Sequence, residues 1–116
     1  MSVTVTAKPI ILSRYASSSQ TTEYTAPSST RTIIDKFTVT NVTGGAVTIT
    51  IQIVTNGNTA ATNYIIVQTK SVASAATADI TELKNHVLNT GDFISVIASA
   101  GSSLVIRASG REVVTS

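Results

Sequence analysis

The sequence contains no cysteine and few charged residues, and both absences exclude classes of function. Without thiols the chain cannot form a disulfide framework, a thiolate metal site or a cysteine nucleophile. Charged residues make up 12% of the chain, which is about half the usual share in a soluble protein. The 8 Lys and Arg residues are scattered along the sequence against 6 Asp and Glu. Nucleic-acid binding needs a clustered basic stripe, so we expect no nucleic-acid partner.

Long apolar runs are missing as well. The longest are a few residues, far below the about 20 that a membrane-spanning helix needs, so we expect no membrane segment. The N-terminal stretch MSVTVTAKPIILSRY lacks the basic region and the long apolar region of a secretory signal. We therefore expect the protein to be made and kept in a cytoplasm, where a virus particle can also assemble.

Threonine and serine take the place of the missing charges. The chain has 20 Thr and 15 Ser, together 35 of its 116 residues. Threonine is β-branched and suits a half-wet sheet surface, whereas helix surfaces use Glu, Lys, Arg and Ala. This composition predicts an all-β protein. A surface of Thr, Ser, Ala and Asn also loses little free energy of hydration when a partner covers it, which favours a role inside an assembly.

Alternating apolar and polar residues predict where the strands lie. The clearest alternation runs over residues 31–42 and 47–53, on either side of Thr43-Gly44-Gly45, and predicts a β-hairpin. Residues 93–98 and 104–109, joined by Ala100-Gly101-Ser102, predict a second hairpin-like pair. Gly110 marks a candidate bulge before residues 111–114, which we expect to complete an edge.

One further signal points to a helical turn. Asp79-Ile80-Thr81-Glu82 has the spacing of a capping box, so a single turn is predicted over residues 80–85. Together these patterns predict one domain over residues 1–116, an antiparallel β-sandwich or jelly roll of about eight short strands with at most one short helical turn. Residues 1–14 are expected to be an extended N-terminal arm or an edge strand.

No residue constellation indicates catalysis or a cofactor. His86 is the single histidine, and zinc needs three or four N, S or O ligands, so no metal site is expected. Ser95, His86 and Asp92 can be written as a triad, but no motif around them supports one. Phosphate-binding and dinucleotide-binding fingerprints are absent. We therefore expect a protein that is not an enzyme, with no catalytic residues and no cofactor.

Charge placement gives one candidate contact. Asp35 interrupts an apolar face of the predicted strand and has three basic residues that could pair with it, Arg31, Arg107 and Arg111. These four residues are candidates for contacts between subunits. The alternative is an ion pair within one chain or a charge at a strand edge.

Two other features have a functional and an ordinary interpretation. Tyr15, Tyr24 and Tyr64 could line a sugar-binding surface, but tyrosines at unrelated spacings are more often core-edge residues. Asn41-Val42-Thr43 matches a glycosylation sequon, although an Asn beside Gly-Gly is ordinary turn composition.

Two stretches of the chain resemble small structural proteins of tailed-phage virions, and the similarity around them extends over about half of the chain. One is Tyr24-Thr-Ala-Pro27 followed by Arg31-Thr-Ile-Ile-Asp-Lys-Phe-Thr-Val-Thr-Asn41, and the other is Leu88-Asn-Thr-Gly-Asp-Phe-Ile94 leading to Leu104-Val-Ile-Arg-Ala-Ser-Gly-Arg-Glu112. The resemblance follows the strand–turn–strand pattern of β-sandwich virion proteins, which many sandwiches share. It implies a location in the virion, assembled in the host cytoplasm.

The resemblance implies a capsid decoration (cement) protein that bridges neighbouring capsomers, with the major capsid protein or another virion protein as partner. A tail or head–tail neck component is the alternative within the virion. A carbohydrate-binding or receptor-binding module is the alternative of another class. Proteins of this kind commonly form symmetric homo-oligomers, and a trimer is favoured. No catalytic residues follow from the resemblance.

Overall fold

A computed structural model describes residues 2–115 and shows an all-β protein. Its elements of secondary structure are nine strands and two single 3-10 turns, with no longer helix in this range. The strands are β1 (Val3–Tyr15), β2 (Thr21–Thr25), β3 (Thr30–Asn41), β4 (Val47–Val54), β5 (Ile65–Val72), β6 (Thr77–Asp79), β7 (Val87–Leu88), β8 (Phe93–Ala98) and β9 (Leu104–Thr115). The 3-10 turns span Thr62–Tyr64 and Thr81–Leu83.

The strands form two antiparallel sheets. Sheet A has the order β1-β9-β3-β6, and β7 also pairs with β3; sheet B has the order β2-β8-β4-β5. Strands β6 and β7 bond to different parts of β3, on the edge that β9 leaves free, so together they fill one strand position. Two sheets of four positions connected in this order are a jelly roll. The predicted fold class is confirmed.

Both predicted hairpins are wrong, because each joins strands of different sheets. β3 lies in sheet A and β4 in sheet B, so Gly44-Gly45 crosses from one layer to the other. The turn at Ala100-Gly101-Ser102 likewise connects β8 of sheet B to β9 of sheet A. Among the strands seen here, β4 and β5 are the one consecutive pair that bonds directly. Alternation places an apolar row toward the core in either arrangement, so it cannot distinguish them.

A buried asparagine holds the first of these crossings. The side-chain amide of Asn41 donates to the carbonyl oxygens of Gly45 at 2.8 Å and Val72 at 2.9 Å. Its side-chain oxygen accepts the backbone N–H of Thr43 at 2.9 Å. These bonds satisfy a fully buried polar group and tie the turn to β5. The sequon residue is therefore part of the turn, inaccessible to a glycan.

The core lies between the two sheets and is almost entirely aliphatic. Phe37 is its single fully buried aromatic residue in the range described. Both sheets contribute fully buried side chains, among them Ile34, Val39, Leu104 and Ile106 from sheet A and Ile49, Ile51, Ile94 and Val96 from sheet B. This packing of two apolar faces supplies the main stabilisation of the fold.

A bulge in β3 places Asp35 differently from the sequence prediction. The register with β9 passes from Ile34 opposite Gly110 to Lys36 opposite Ser109, which leaves Asp35 as an extra residue. Ile34 and Phe37 are both fully buried although they are three residues apart. Asp35 therefore does not interrupt an apolar face, since the bulge changes which residues point inward.

Gly110 lies next to this bulge, but not before an edge as predicted. β9 is a central strand between β1 and β3, and its bonding continues to Thr115. A Cβ atom at position 110 would collide with the carbonyl oxygen of Ile33, so the close approach of the two strands requires glycine. The extra residues lie in the flanking strands, Asp35 in β3 and Ile10 in β1.

The predicted helical turn is shorter than expected and lacks the capping box. Only Thr81–Leu83 form a 3-10 turn, without a side-chain hydrogen bond at its start. The chain on either side of it bonds to β3: Ile80 donates to Phe37 at 2.8 Å and Asn85 to Ile34 at 2.7 Å. These bonds hold the segment along the edge of sheet A, where Ile80 and Leu83 fill the core.

Candidate assembly surface

The outer face of sheet A, which points away from sheet B, is a surface that the described strands leave uncovered. The register places on it side chains from β1, β3, β6, β7 and β9. They include Val3, Val5 and Ala7 of β1, Arg31, Ile33, Lys36, Thr38 and Thr40 of β3, Thr77 and Asp79 of β6, Val87 of β7, and Arg107, Ser109, Arg111 and Val113 of β9. The face mixes valine and threonine with charged residues, and its acidic residues are Asp35 at the bulge and Asp79, which lies 4.0 Å from Lys36.

The structure brings the four predicted contact residues to this face. Arg111 donates from Nε to both carboxylate oxygens of Asp35 at 3.1 Å and from Nη2 at 2.8 Å. Hydrogen bonds from Asp35 and its charge raise the pKa of the Arg111 guanidinium above its ordinary value. The pair lies within one chain and is solvent-exposed. A contact of these residues with another subunit stays a prediction.

Arg31 and Arg107 have no acidic partner in residues 2–115. Arg107 donates weakly to the Ser13 hydroxyl at 3.4 Å. Most other charges are neutralised within the chain, by the pairs Lys8–Glu112, Arg14–Glu23, Lys36–Asp79, Lys70–Glu82 and Arg111–Asp35. The outer face of sheet A therefore carries two exposed positive charges that an acidic partner surface can meet.

Exposed apolar side chains concentrate on β1. Among residues 2–115, six large apolar residues are at least half exposed, and four of them belong to this strand. They are Val3 (60%), Val5 (58%), Leu12 (59%) and Tyr15 (53%); the other two are Val42 and Val87. From Val3 to Pro9 the strand is exposed on both of its faces. A cluster of this kind is typical of an interaction surface.

A buried polar cluster lies beneath this end of sheet A. The Tyr24 hydroxyl of β2 is 2.6 Å from Oε2 of Glu112 and 2.6 Å from Oγ1 of Thr32. Nζ of Lys8 is 3.4 Å from the other oxygen of Glu112. Burial, followed by the hydrogen bond to Glu112, raises the pKa of Tyr24 above its ordinary value of 10.0. The cluster fastens β2 of sheet B to three strands of sheet A.

The cluster of Tyr24, Glu112, Thr32 and Lys8 could not be predicted from the sequence. Tyr24 and Glu112 are 88 positions apart, and no local pattern links them. The three tyrosines do not form a shared sugar platform, because they belong to different parts of the fold. The hydroxyl of Tyr24 is engaged between the sheets, Tyr15 lies at the edge of sheet A, and Tyr64 lies in the turn before β5 of sheet B.

Two of the residues considered for a triad, Asp92 and Ser95, have side chains that bond to other partners. The carboxylate of Asp92 accepts the backbone N–H groups of Asn56 and Asn89, both at 2.9 Å. The Ser95 hydroxyl accepts the side-chain amide of Gln20 at 2.7 Å. Over residues 2–115, no three His, Asp or Glu side chains are grouped closely enough to hold a metal ion. Within the same span no helix has the length and hydropathy to cross a membrane.

Sheet B has one shallow hollow on its outer face, with a volume of about 190 Å³. Its lining residues are Thr48, Thr50, Thr69, Ile97, Ala98 and Ser99. Two of the hydroxyls are engaged by the backbone, since Thr50 accepts the N–H of Thr69 at 2.9 Å and Ser99 that of Thr48 at 3.0 Å. No lining residue is ionisable, so the hollow offers no group for acid–base chemistry.

Comparison with known proteins supports the fold. No protein-family model matches the chain, and no curated protein sequence matches it. A protein of Bacillus endospore appendages, a novel family of disulfide-linked pili, superposes with a TM-score of 0.59 and 15% identity over 100% of this chain and 93% of that one. A protein of infectious bursal disease virus, Gx strain, gives a TM-score of 0.54 and 11% identity over 97% of this chain and 32% of that one. The chain thus spans about a third of the viral protein. At these identities the likeness shows the fold alone.

Proposed function

We propose that this chain is a non-enzymatic structural protein of a tailed-phage virion, and that it acts as a capsid decoration protein bridging neighbouring capsomers. The observation that carries the proposal is the outer face of sheet A, where exposed valines lie beside two arginines, Arg31 and Arg107, that have no acidic partner in residues 2–115. The partner is the major capsid protein or another virion protein.

The chemistry of the face suits repeated, modest contacts. Valine and threonine side chains lose little free energy of hydration on burial, so each contact needs only moderate complementarity. Many copies bound to one particle give strong retention through avidity. Arg31 and Arg107 supply the directional part of the contact, since charges placed opposite an acidic surface set orientation and association rate.

Two solved structures similar to this chain support an assembly role, since one comes from pili and the other from a virus. The pili are disulfide-linked, whereas this chain has no cysteine. Copies of this chain therefore cannot be joined by disulfide bonds. We propose that it works as a symmetric homo-oligomer; the trimer that the phage resemblance favours stays a prediction.

A tail or neck component is the second candidate within the virion. We favour decoration because the described residues contain no coiled or fibrous segment of the kind that builds tails. Copy number separates the two locations, since decoration requires many more copies per particle than a neck ring. Quantitative densitometry of purified virions measures this directly.

The proposal is tested by rebinding. The purified chain should bind virions that lack it and should be found in wild-type virions by mass spectrometry. Arg31→Glu with Arg107→Glu should weaken binding most at low salt, because screening removes the contribution of these charges at high salt. Lys84→Glu is the matched control, since Lys84 also lacks an acidic partner in residues 2–115 but lies outside the face. Absence from the virion together with no rebinding would refute the proposal.

A further inference from the structure

The first half of β1 is the longest regular free strand edge among residues 2–115. It pairs with β9 without a register shift from Val3 to Pro9, and its other edge has no strand partner. The remaining edges are short or irregular. β6 and β7 have three and two residues, β2 has five residues and one register shift, and β5 has eight residues and two shifts.

This edge also lacks the protection that exposed edges usually carry. Native edge strands are blunted by charges, proline, bulges or short length, because free N–H and C=O groups invite another strand. In this chain no charged residue occurs from Ser2 to Ala7, and four of those six residues are β-branched. Lys8, Pro9 and the bulge at Ile10 follow, so the unprotected stretch ends there.

We propose that Ser2–Lys8 pairs antiparallel with the same segment of a second copy, about a two-fold axis at Val5, so that the two A sheets become one continuous sheet. A two-fold contact uses the same surface on both copies. The register centred on Val5 keeps apolar residues opposite apolar ones and brings no like charges together. The opposing pairs are Ser2 with Lys8, Val3 with Ala7, Thr4 with Thr6, and Val5 with its own copy.

A second β1 is the best-matched partner for this edge. The edges of β2, β5, β6 and β7 are too short or too bulged to bond along seven residues in register. Joining the two β1 edges also makes the outer faces of both A sheets continuous. Val5 then lies beside Val113 of its own chain and beside Val5 of the other copy, so the exposed valines are partly covered.

The small size of the contact sets its expected strength, and its two-fold axis sets the expected number of copies. Seven paired residues on each copy bury less than the about 1,200–2,000 Å² of a standard interface. We therefore expect a concentration-dependent dimer of twice the 12.0 kDa chain mass. A two-fold contact gives even numbers of copies, whereas a trimer needs two different edges on each copy.

The test uses opposite charges at the two-fold axis. The wild-type chain should show a monomer–dimer equilibrium in sedimentation velocity. Val5→Lys and Val5→Glu each place like charges opposite one another, and each should raise the dissociation constant at least about tenfold, since like charges directly opposite destabilise a strand pair. An equimolar mixture of the two variants should dimerise again, because the charges are then complementary.

Leu12→Lys is the matched control, since Leu12 is 59% exposed and Val5 58%, and Leu12 lies beyond the bulge. It should dimerise like wild type. Circular dichroism melting checks that all variants fold. Any one of four results would overturn the inference. The wild-type chain is a monomer or a trimer, Val5→Lys alone still dimerises, the mixture of Val5→Lys and Val5→Glu fails to dimerise, or Leu12→Lys is a monomer. Rebinding to virions tests the proposed function separately, because dimerisation in solution does not depend on it.

Discussion

The bulges at Ile10 and Asp35 divide sheet A into two halves that face sheet B in different ways. In one half, Phe37 and Val39 of β3 and Ile106 of β9 point into the apolar core. In the other half, the inward positions of the same strands include polar residues, Thr30 and Thr32 in β3 and Glu112 in β9. We call these the core half and the open half.

The outer surfaces of the two halves differ as well. The open half carries Val3, Val5 and Val87, which are at least half exposed. Its inner side is fastened by the cluster of Tyr24, Glu112 and Thr32 in place of a large apolar contact. A hydrogen-bonded cluster is satisfied in one arrangement only, so it can fix the strand positions while leaving the apolar residues outside for a partner. The core half therefore supplies stability, and the open half supplies a surface.

The largest effect should come from emptying the core half. Phe37→Ala removes the one fully buried aromatic side chain seen in the fold and should lower the free energy of unfolding by about 3–5 kcal/mol, because a cavity adds to the lost burial. Urea denaturation measures the change. Thr38→Ala, on the opposite face of the same strand, is the control and should change stability by less than about 1 kcal/mol. Equal effects at both positions would remove the distinction between the two faces.

A smaller effect should come from opening the polar cluster. Tyr24→Phe removes the hydroxyl that donates to Glu112 and should cost about 1–3 kcal/mol, because a carboxylate oxygen with little exposure then loses its donor. The control is Tyr15→Phe, since the Tyr15 side chain is exposed. If the two variants unfold at the same urea concentration, the cluster does not fasten the open half.

High pH should weaken the same cluster. The pKa of Tyr24 is raised above 10.0 in the folded protein, so the folded state holds the hydroxyl proton more tightly than the unfolded state. The contribution of the protonated Tyr24 hydroxyl to the free energy of unfolding is fully present below pH 10.0. It is lost as the pH rises through the higher pKa that Tyr24 has in the folded protein. The difference in unfolding free energy between wild type and Tyr24→Phe should therefore shrink in alkaline urea titrations. A difference that grows with pH would contradict the raised pKa of Tyr24.

The smallest effect is expected at the exposed ion pair. Arg111→Ala breaks the bidentate contact with Asp35, but both side chains are open to water, and such pairs contribute little to stability. The melting temperature should fall slightly at low salt and should match wild type at high salt. A large loss that persists in high salt would show that the pair fixes the bulge between the two halves.

The sequence predicted the core half better than the open half. Alternation correctly placed Leu104, Ile106 and Ala108 on one buried face. It failed at Asp35, because an extra residue in β3 changes the phase and the sequence contains no local mark of it. It also failed for both turns between layers, since the bond that identifies the first crossing runs from Asn41 to Val72, far along the chain.

The candidate surface was predicted in part. The charges of Arg31, Asp35, Arg107 and Arg111 indicated a group of residues that the register of β3 and β9 does place on one face. Residues 1–14 were expected to be an extended arm or an edge strand, and β1 does lie at an edge of sheet A. The exposure of Val3–Pro9 on both faces could not be predicted, because an exposed strand and a buried one show the same alternation of Val and Thr. Only the topology shows that β1 has one partner strand and that residues 3–9 extend past the core.

The division between the two halves is tested most directly by hydrogen exchange at single amides. In the dilute isolated chain, the amides of residues 3–8 that face the free edge of β1 should exchange quickly, while those of the core half are protected. In the assembled particle, the amides of residues 3–8 should become strongly protected with little change in the core half. The opposite result would be that the amides of residues 3–8 exchange equally fast in both states while other amides become protected. It would contradict the assignment of this edge as the assembly surface.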